Sequence, residues 1–286
     1  ILLPMLWFFL ALASALIFAA QELLMRMLAI RTSSPRIFAV VFNLWGAGFA
    51  LLLFLLERGS LSGLWGLTPM QYVLLASTIV LYGLYERTQF YARQGTDAST
   101  FAIIFRLSTV IGFIGAILFL NEPLTTEKIA GVMLIIFASF LLVFRNPKFT
   151  LTPALGYAVL CAVFLGLTSV LDKPASEPMP ATLYSFLIWF VPIVIVAFPT
   201  VSKKEIVREL RIGGWKVALA AALNVVGYII YIQALSLAEA SRVNPITATT
   251  GIFTVAGGIY FLKEHGHLWR KIVATVFAFI GVLLLR

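Results

Sequence analysis

The chain has 286 residues, of which 61% are apolar or aromatic and only 12% are charged, and its mean hydropathy is +1.01. A soluble domain carries about 25% charged residues, so this composition argues against a soluble enzyme and against a disordered chain. The net charge of +9 is shared with nucleic-acid binders, but in a membrane protein Lys and Arg simply collect in cytoplasmic loops. A membrane-spanning helix needs about 20 mostly apolar residues. Such runs are predicted, in chain order, at Met5–Ile30, Ile37–Leu56, Met70–Tyr91, Ala98–Leu120, Lys128–Phe144, Pro153–Leu171, Ala181–Val201, Trp215–Leu237, Ser241–Leu262 and Leu268–Leu285. The connections are short and hold turn residues such as Thr32-Ser33-Ser34-Pro35 and Asn146-Pro147. The longest polar stretch, Ser202–Gly214, reads as a basic amphipathic linker. The first span is too long to be a cleaved signal peptide. Residue 1 is Ile, so residues preceding it are expected in the full protein.

The sequence repeats. A shift of 142 residues lays Asp97-Ala98-Ser99 on Glu239-Ala240-Ser241, Phe119-Leu120 on Phe261-Leu262, and Glu122 on Glu264. After a one-residue slip, Lys128-Ile129 meets Lys271-Ile272. The halves, residues 1–147 and 148–286, each hold five predicted spans. An odd number of spans per half makes the second half enter the membrane from the opposite side. The expected fold is therefore an all-α integral membrane protein of ten helices in two inverted five-helix repeats.

With its acidic-Ala-Ser entries to spans four and nine and its Phe-Leu-x-Glu exits, the chain resembles the drug/metabolite transporter superfamily, specifically the EamA-type ten-span proteins. The resemblance covers essentially the whole chain. It implies a transporter of small metabolites, amino acids, drugs or nucleotide-sugars, often an exporter, with spans five and ten at the periphery and the other eight around a central cavity. It implies a plasma (inner) membrane protein of a bacterium or archaeon. Pro245 has Ile103 as its counterpart, so the halves are not functionally equivalent.

Orientation follows from the 21 Lys and Arg residues. Loops after odd-numbered spans hold thirteen, from Arg31 and Arg36 to Arg270 and Lys271, against five on the other side, Arg58, Lys128, Lys173, Arg242 and Arg286. This places the odd loops in the cytoplasm and both termini outside, whereas many relatives are thought to keep both termini inside.

Charges within a span are costly and usually face a cavity or a partner. Glu22 and Arg26 in span one, Glu86 and Arg87 in span three, and Arg106 in span four are such charges. At about 1.5 Å of rise per residue, Glu22, Glu86 and Arg106 each fall roughly 10–13 Å from the odd-loop end. They are candidates for binding substrate or a coupling proton, with Arg106 as a fixed charge for an anionic group. Arg26 and Arg87 have a structural alternative: Arg26 pairs with Glu22 at i, i+4, and Arg87 reaches the interface. In the second half, Asn224, Tyr228 and Asn244 are polar candidates, with Tyr82 a possible pocket wall. Pro245 is read as a first-turn proline, and the span-nine threonines as bonded to their own helix. Ser108, Gly112 and Ala116, matched by Thr250, Thr254 and Gly258, read as close helix contacts. Asp172 and Lys173 read as a solvated interfacial pair. Cys161 reads as a small core residue.

No nucleotide-binding loop, zinc motif or catalytic triad is legible, and His265-x-His267 makes a weak metal site. No catalytic residue, metal or cofactor is expected. The expected partners are a small-molecule substrate, the lipid bilayer and a coupling proton or ion, with the chain a monomer or homodimer and no nucleic acid bound. Two rival readings stand beside a transporter: a lipid or nucleotide-sugar flippase or antiporter of the same fold, and a membrane-embedded enzyme.

Overall fold

The structure is a computed structural model that describes residues 5–28, 34–96, 101, 104–143, 152–199, 201–254, 257 and 268–285. Every regular element among them is helical. The helices are α1 (Leu6–Leu28), α2 (Pro35–Leu56), the short α3 (Ser62–Trp65), α4 (Pro69–Gly95), α5 (Leu107–Phe119) and α6 (Thr126–Val143). The second half supplies α7 (Pro153–Ser176), α8 (Ala181–Phe190), α9 (Ile193–Ala197), α10 (Lys203–Leu237), α11 (Ala240–Thr247) and α12 (Leu268–Leu285). Leu6–Met25, Pro35–Leu56, Pro153–Ser176 and Lys203–Leu237 are long and apolar enough to cross a membrane.

Helix starts follow local chemistry. Thr68 and Ser202 each form a capping box, with Gln71 and Glu205 respectively, which satisfies backbone N–H groups that a helix start leaves open. Proline opens α2, α4 and α7, where its missing N–H is harmless.

Several predicted spans differ from the helices found. The sixth does not end at Leu171 but continues to Ser176 with Pro174 inside it. The seventh breaks at Val191-Pro192 into α8 and α9. The basic linker is not a loop: Lys203–Gly213 is helical and joins span eight across Gly214, whose φ of 55° and ψ of −155° are non-helical. Pro245 is not a first-turn residue but the sixth of α11, and the helical path turns three residues later at Ala248-Thr249 before resuming at Thr250. In span four, Arg106 stands at a turn as the N-cap of α5. The interruptions at Arg106 and Ala248 are repeat-equivalent, 142 residues apart.

Packing is reciprocal between the halves. Helix α1 lies along α10, and α7 lies along α4. Each half's first span thus packs on the other half's third. Helix α2 pairs with α8 and α6 with α12. Helix packing in lipid depends on close approach. Ala11, Ala15 and Ala19 make a buried small-residue stripe on α1, and a Cβ at Gly227 of α10 would lie 2.9 Å from Phe18. The Ser108–Ala116 stripe behaves as expected: a Cβ at Gly112 would sit 2.5 Å from Ser169 Oγ of α7. Gly258 lies outside the described residues. Cys161 is fully buried beside Ala92, Phe101, Ile104 and Ala158, a core residue as expected.

Candidate functional site

A cavity of about 270 Å³ lies between the halves. Helices α1, α2, α4, α7, α8, α10 and α11, with residues 105–109 and 247–251, supply its wall, and no described residue of α6 or α12 lines it. Seven of the eight sequence candidates line it: Glu22, Tyr82, Glu86, Arg106, Asn224, Tyr228 and Asn244. The side chain of Arg26 is not among those described.

The charged groups are held apart rather than paired. Among the described residues, no carboxylate lies within 4 Å of the Arg106 guanidinium. Arg106 Nη1 donates to the carbonyl of Ala248 at 3.0 Å, and its buried Nε has no hydrogen-bond partner among the described residues. Gly251 makes room for this side chain, because a Cβ there would lie 2.6 Å from Nη2. Glu22 Oε2 lies 2.9 Å from the Thr254 hydroxyl, one turn beyond Gly251. That hydroxyl is also 2.9 Å from its own helix's Thr250 carbonyl, and with one proton it serves one acceptor at a time. Glu86 is buried and accepts from Asn43 Nδ2 at 3.3 Å. Thr247, Thr249 and Thr250 donate to carbonyls of their own helix, as their sequence context suggested.

Arg87 is a structural residue: its Nη1 donates to the carbonyls of Ile195 and Phe198 at 3.0 and 2.7 Å. Arg36 donates to those of Ala197 and Pro199. Together they hold the end of the broken seventh span.

The residue the sequence reading missed is Asp172. It is no solvated interfacial partner of Lys173 but fully buried at the inner end of the cavity. Its Oδ1 accepts from Tyr184 and Tyr228 at 2.8 and 2.9 Å, and its Oδ2 from Tyr82 at 2.9 Å. A buried carboxyl needs such donors. The three rings come from α4, α8 and α10, with Tyr228 edge-on to Tyr82 and stacked on Tyr184. Tyr231 donates to Asn244 Oδ1 at 2.7 Å, and Asn244 Nδ2 to the Ser169 carbonyl at 3.2 Å. Asn224 lines the cavity and makes no hydrogen bond to a described residue. The legible signal for Asp172 was three in-span tyrosines whose hydroxyls needed an acceptor.

Towards the even-loop end, a charged cluster joins the halves. Asn121 adopts a left-handed φ of 54°, which asparagine tolerates, and turns the chain so that Glu122 meets α11. Glu122 accepts from the Ala240 and Ser241 N–H groups at 2.7 and 2.8 Å, capping that helix from across the molecule. Lys173 Nζ lies 3.2 Å from Glu122 and donates to the Ala238 carbonyl at 2.9 Å. Lys128, 1% exposed, pairs with Glu239 at 2.8 Å, which Arg242 also meets at 2.8 Å. The repeat partners of this cluster, Asp97 and Glu264, lie outside the described residues, as do His265 and His267. Among the described residues no cluster of metal-ligating side chains occurs.

No curated protein matches the sequence. A solved crystal structure superposes with a TM-score of 0.72 at 14% identity, covering 98% of this chain and 95% of that one, which is a likeness of fold alone. The family model for the EamA-like transporter family matches residues 5–144 and again residues 152–286. The two matches take in both halves that build the cavity wall, and the chain is a multi-pass membrane protein belonging to the EamA-like transporter family.

Proposed function

We propose that this protein is a secondary active transporter that exports a small metabolite, an amino acid or a drug-like amine, by alternating access. The observation that carries this reading is the central cavity, which holds Glu22, Glu86 and Asp172 against Arg93 and Arg106 and is walled by aromatic rings from both halves. Such charges are retained inside a membrane where they line a substrate path. Both signs of charge beside Tyr and Trp rings suit a compact molecule bearing an amine, with or without a carboxylate. The Nε of Arg106, which has no partner among the described residues, is a spare donor behind the cavity wall.

The reciprocal packing of α1 on α10 and α7 on α4 supports inverted repeats. Turns at repeat-equivalent points of spans four and nine support a site at broken helices, the arrangement secondary transporters favour. The cavity wall extends to Arg93 on the odd-loop side, and the Glu122 and Glu239 cluster joins the halves towards the other. With the odd loops in the cytoplasm, as the basic residues suggest, the conformation is inward-facing. The membrane is the plasma membrane of a prokaryote.

Proteoliposomes loaded with labelled amino acids and amine drugs test the proposal. Saturable flux of at least one is expected. It falls roughly tenfold or more in Glu86→Gln and in Arg106→Ala, because each loses a charge-assisted contact, while both variants melt as folded proteins. Wild-type flux in both variants would remove the charged layer from the mechanism.

A further inference from the structure

Helix α10 has 35 residues, about 52 Å at 1.5 Å per residue, against a hydrocarbon core of about 30 Å. The part from Trp215 to Leu237 is itself about 34 Å long, enough to cross. The segment Lys203–Gly213 is surplus, and the non-helical backbone of Gly214 turns it off the spanning axis. Its two faces differ. Ile206 and Leu210 pack onto the cluster that contains Phe38 and Val217. On the outward face Lys203, Lys204, Arg208 and Arg211 are exposed, and Val207 and Ile212, 47% and 39% exposed, stand among them. These six side chains line one groove.

Acidic residues of the segment are committed elsewhere. The Glu205 carboxylate accepts from the Ser202 N–H at 3.2 Å in the capping box, and Glu209 is 1% exposed on the inward side. Trp215, 70% exposed, follows directly after the kink, and tryptophan favours the membrane–water boundary.

We propose that this groove binds the headgroup of an anionic phospholipid, with Lys203, Lys204 and Arg211 on the phosphate and Val207 and Ile212 against the upper acyl chains. Exposed aliphatic side chains between cations are wasted on a free phosphate but suit a helix lying in the interface plane. The segment belongs to the face richest in Lys and Arg, and cytoplasmic leaflets carry the anionic lipids such segments meet. The site is separate from the central cavity, so its failure would leave the transport reading untouched, and the reverse.

Native mass spectrometry of the detergent-purified full chain, with added phosphatidylglycerol, phosphatidylcholine or glycerol phosphate, tests it. Phosphatidylglycerol is expected to be retained in preference to phosphatidylcholine. Retention falls about fivefold for each cation neutralised in the series Lys203→Gln, Lys204→Gln and Arg211→Gln. Equal retention in the wild type and the triple variant would overturn the site. Glycerol phosphate competing as well as the whole lipid would overturn the lipid assignment. If the triple variant does not fold, Val207→Ser with Ile212→Ser serves instead: it keeps the charge, and weakened phosphatidylglycerol retention is expected, with unchanged retention counting against the proposal.

Discussion

A carboxyl removed from water needs donors, and Asp172 has three, one from each of three helices. Its removal is therefore unlike the loss of any one ring hydroxyl. Asp172→Ala orphans the buried Tyr184 and Tyr228 hydroxyls, each at about 1–3 kcal/mol, and the part-buried Tyr82 hydroxyl at a smaller cost. Tyr82→Phe removes one donor and leaves Asp172 two, for about 1 kcal/mol. Thermal unfolding in detergent should rank Asp172→Ala well below Tyr82→Phe, and equal melting would mean that the convergence carries no energy. The residue was misread because its sequence neighbours mislead. Asp172-Lys173 follows an apolar run and precedes Pro174, the pattern of a span end. The helix instead runs on to Ser176 and carries the carboxyl inward, while Lys173 turns to Glu122. Glu22, Glu86 and Arg106 were legible for the opposite reason. Each stands inside a predicted span, where a charge has no cheap explanation.

At the scale of elements, apolar runs predict where helices lie but not where they break. Leu268–Leu285 is found as predicted, since nothing interrupts its pattern. Spans four and nine turn at Arg106 and at Ala248-Thr249; Pro245 stands three residues before the second turn and Gly251 two after it, but neither Gly nor Pro marks the first. The turns are held by tertiary bonds such as Arg106 to the Ala248 carbonyl, which no local pattern encodes. Span seven was different, because Pro192 stood in it as a visible breaker. Gly214 is the clearest local case. Its φ of 55° with ψ of −155° belongs to a region essentially restricted to glycine. Gly214→Ala is expected to lower stability by about 1–3 kcal/mol, read from the unfolding midpoint. No change would mean that the backbone relaxes there without strain.

Across the whole molecule, the charged cluster at the even-loop end fastens the two halves together. Lys128 is almost fully buried, so losing its partner leaves a charge with little water. Glu239→Lys alone, facing Lys128, is expected to destabilise the protein by about 3 kcal/mol or more. Combining it with Lys128→Glu should recover part of that loss, since the pair is restored in reverse while Arg242 and the Pro123 carbonyl lose their partners. A double variant no better than the worse single variant would show that the ion pair does not couple the halves. If the halves rock, this fastening must open once per cycle, so the same variants should also shift the balance between the two facing states.

The contact between Arg106 and the Ala248 carbonyl joins positions that correspond in the two repeats, which has a consequence for how such a chain can arise. Two copies of the first half, assembled as an antiparallel pair, would bring two guanidinium groups to one spot beside the midline. Once the two copies can differ in sequence, one keeps its arginine while the other carries a methyl group at the matching position, as Arg106 and Ala248 do. The one-sided arginine at this point thus depends on the two halves having diverged in sequence. Separate identical subunits would have to discard that charge or find an anion to share between them.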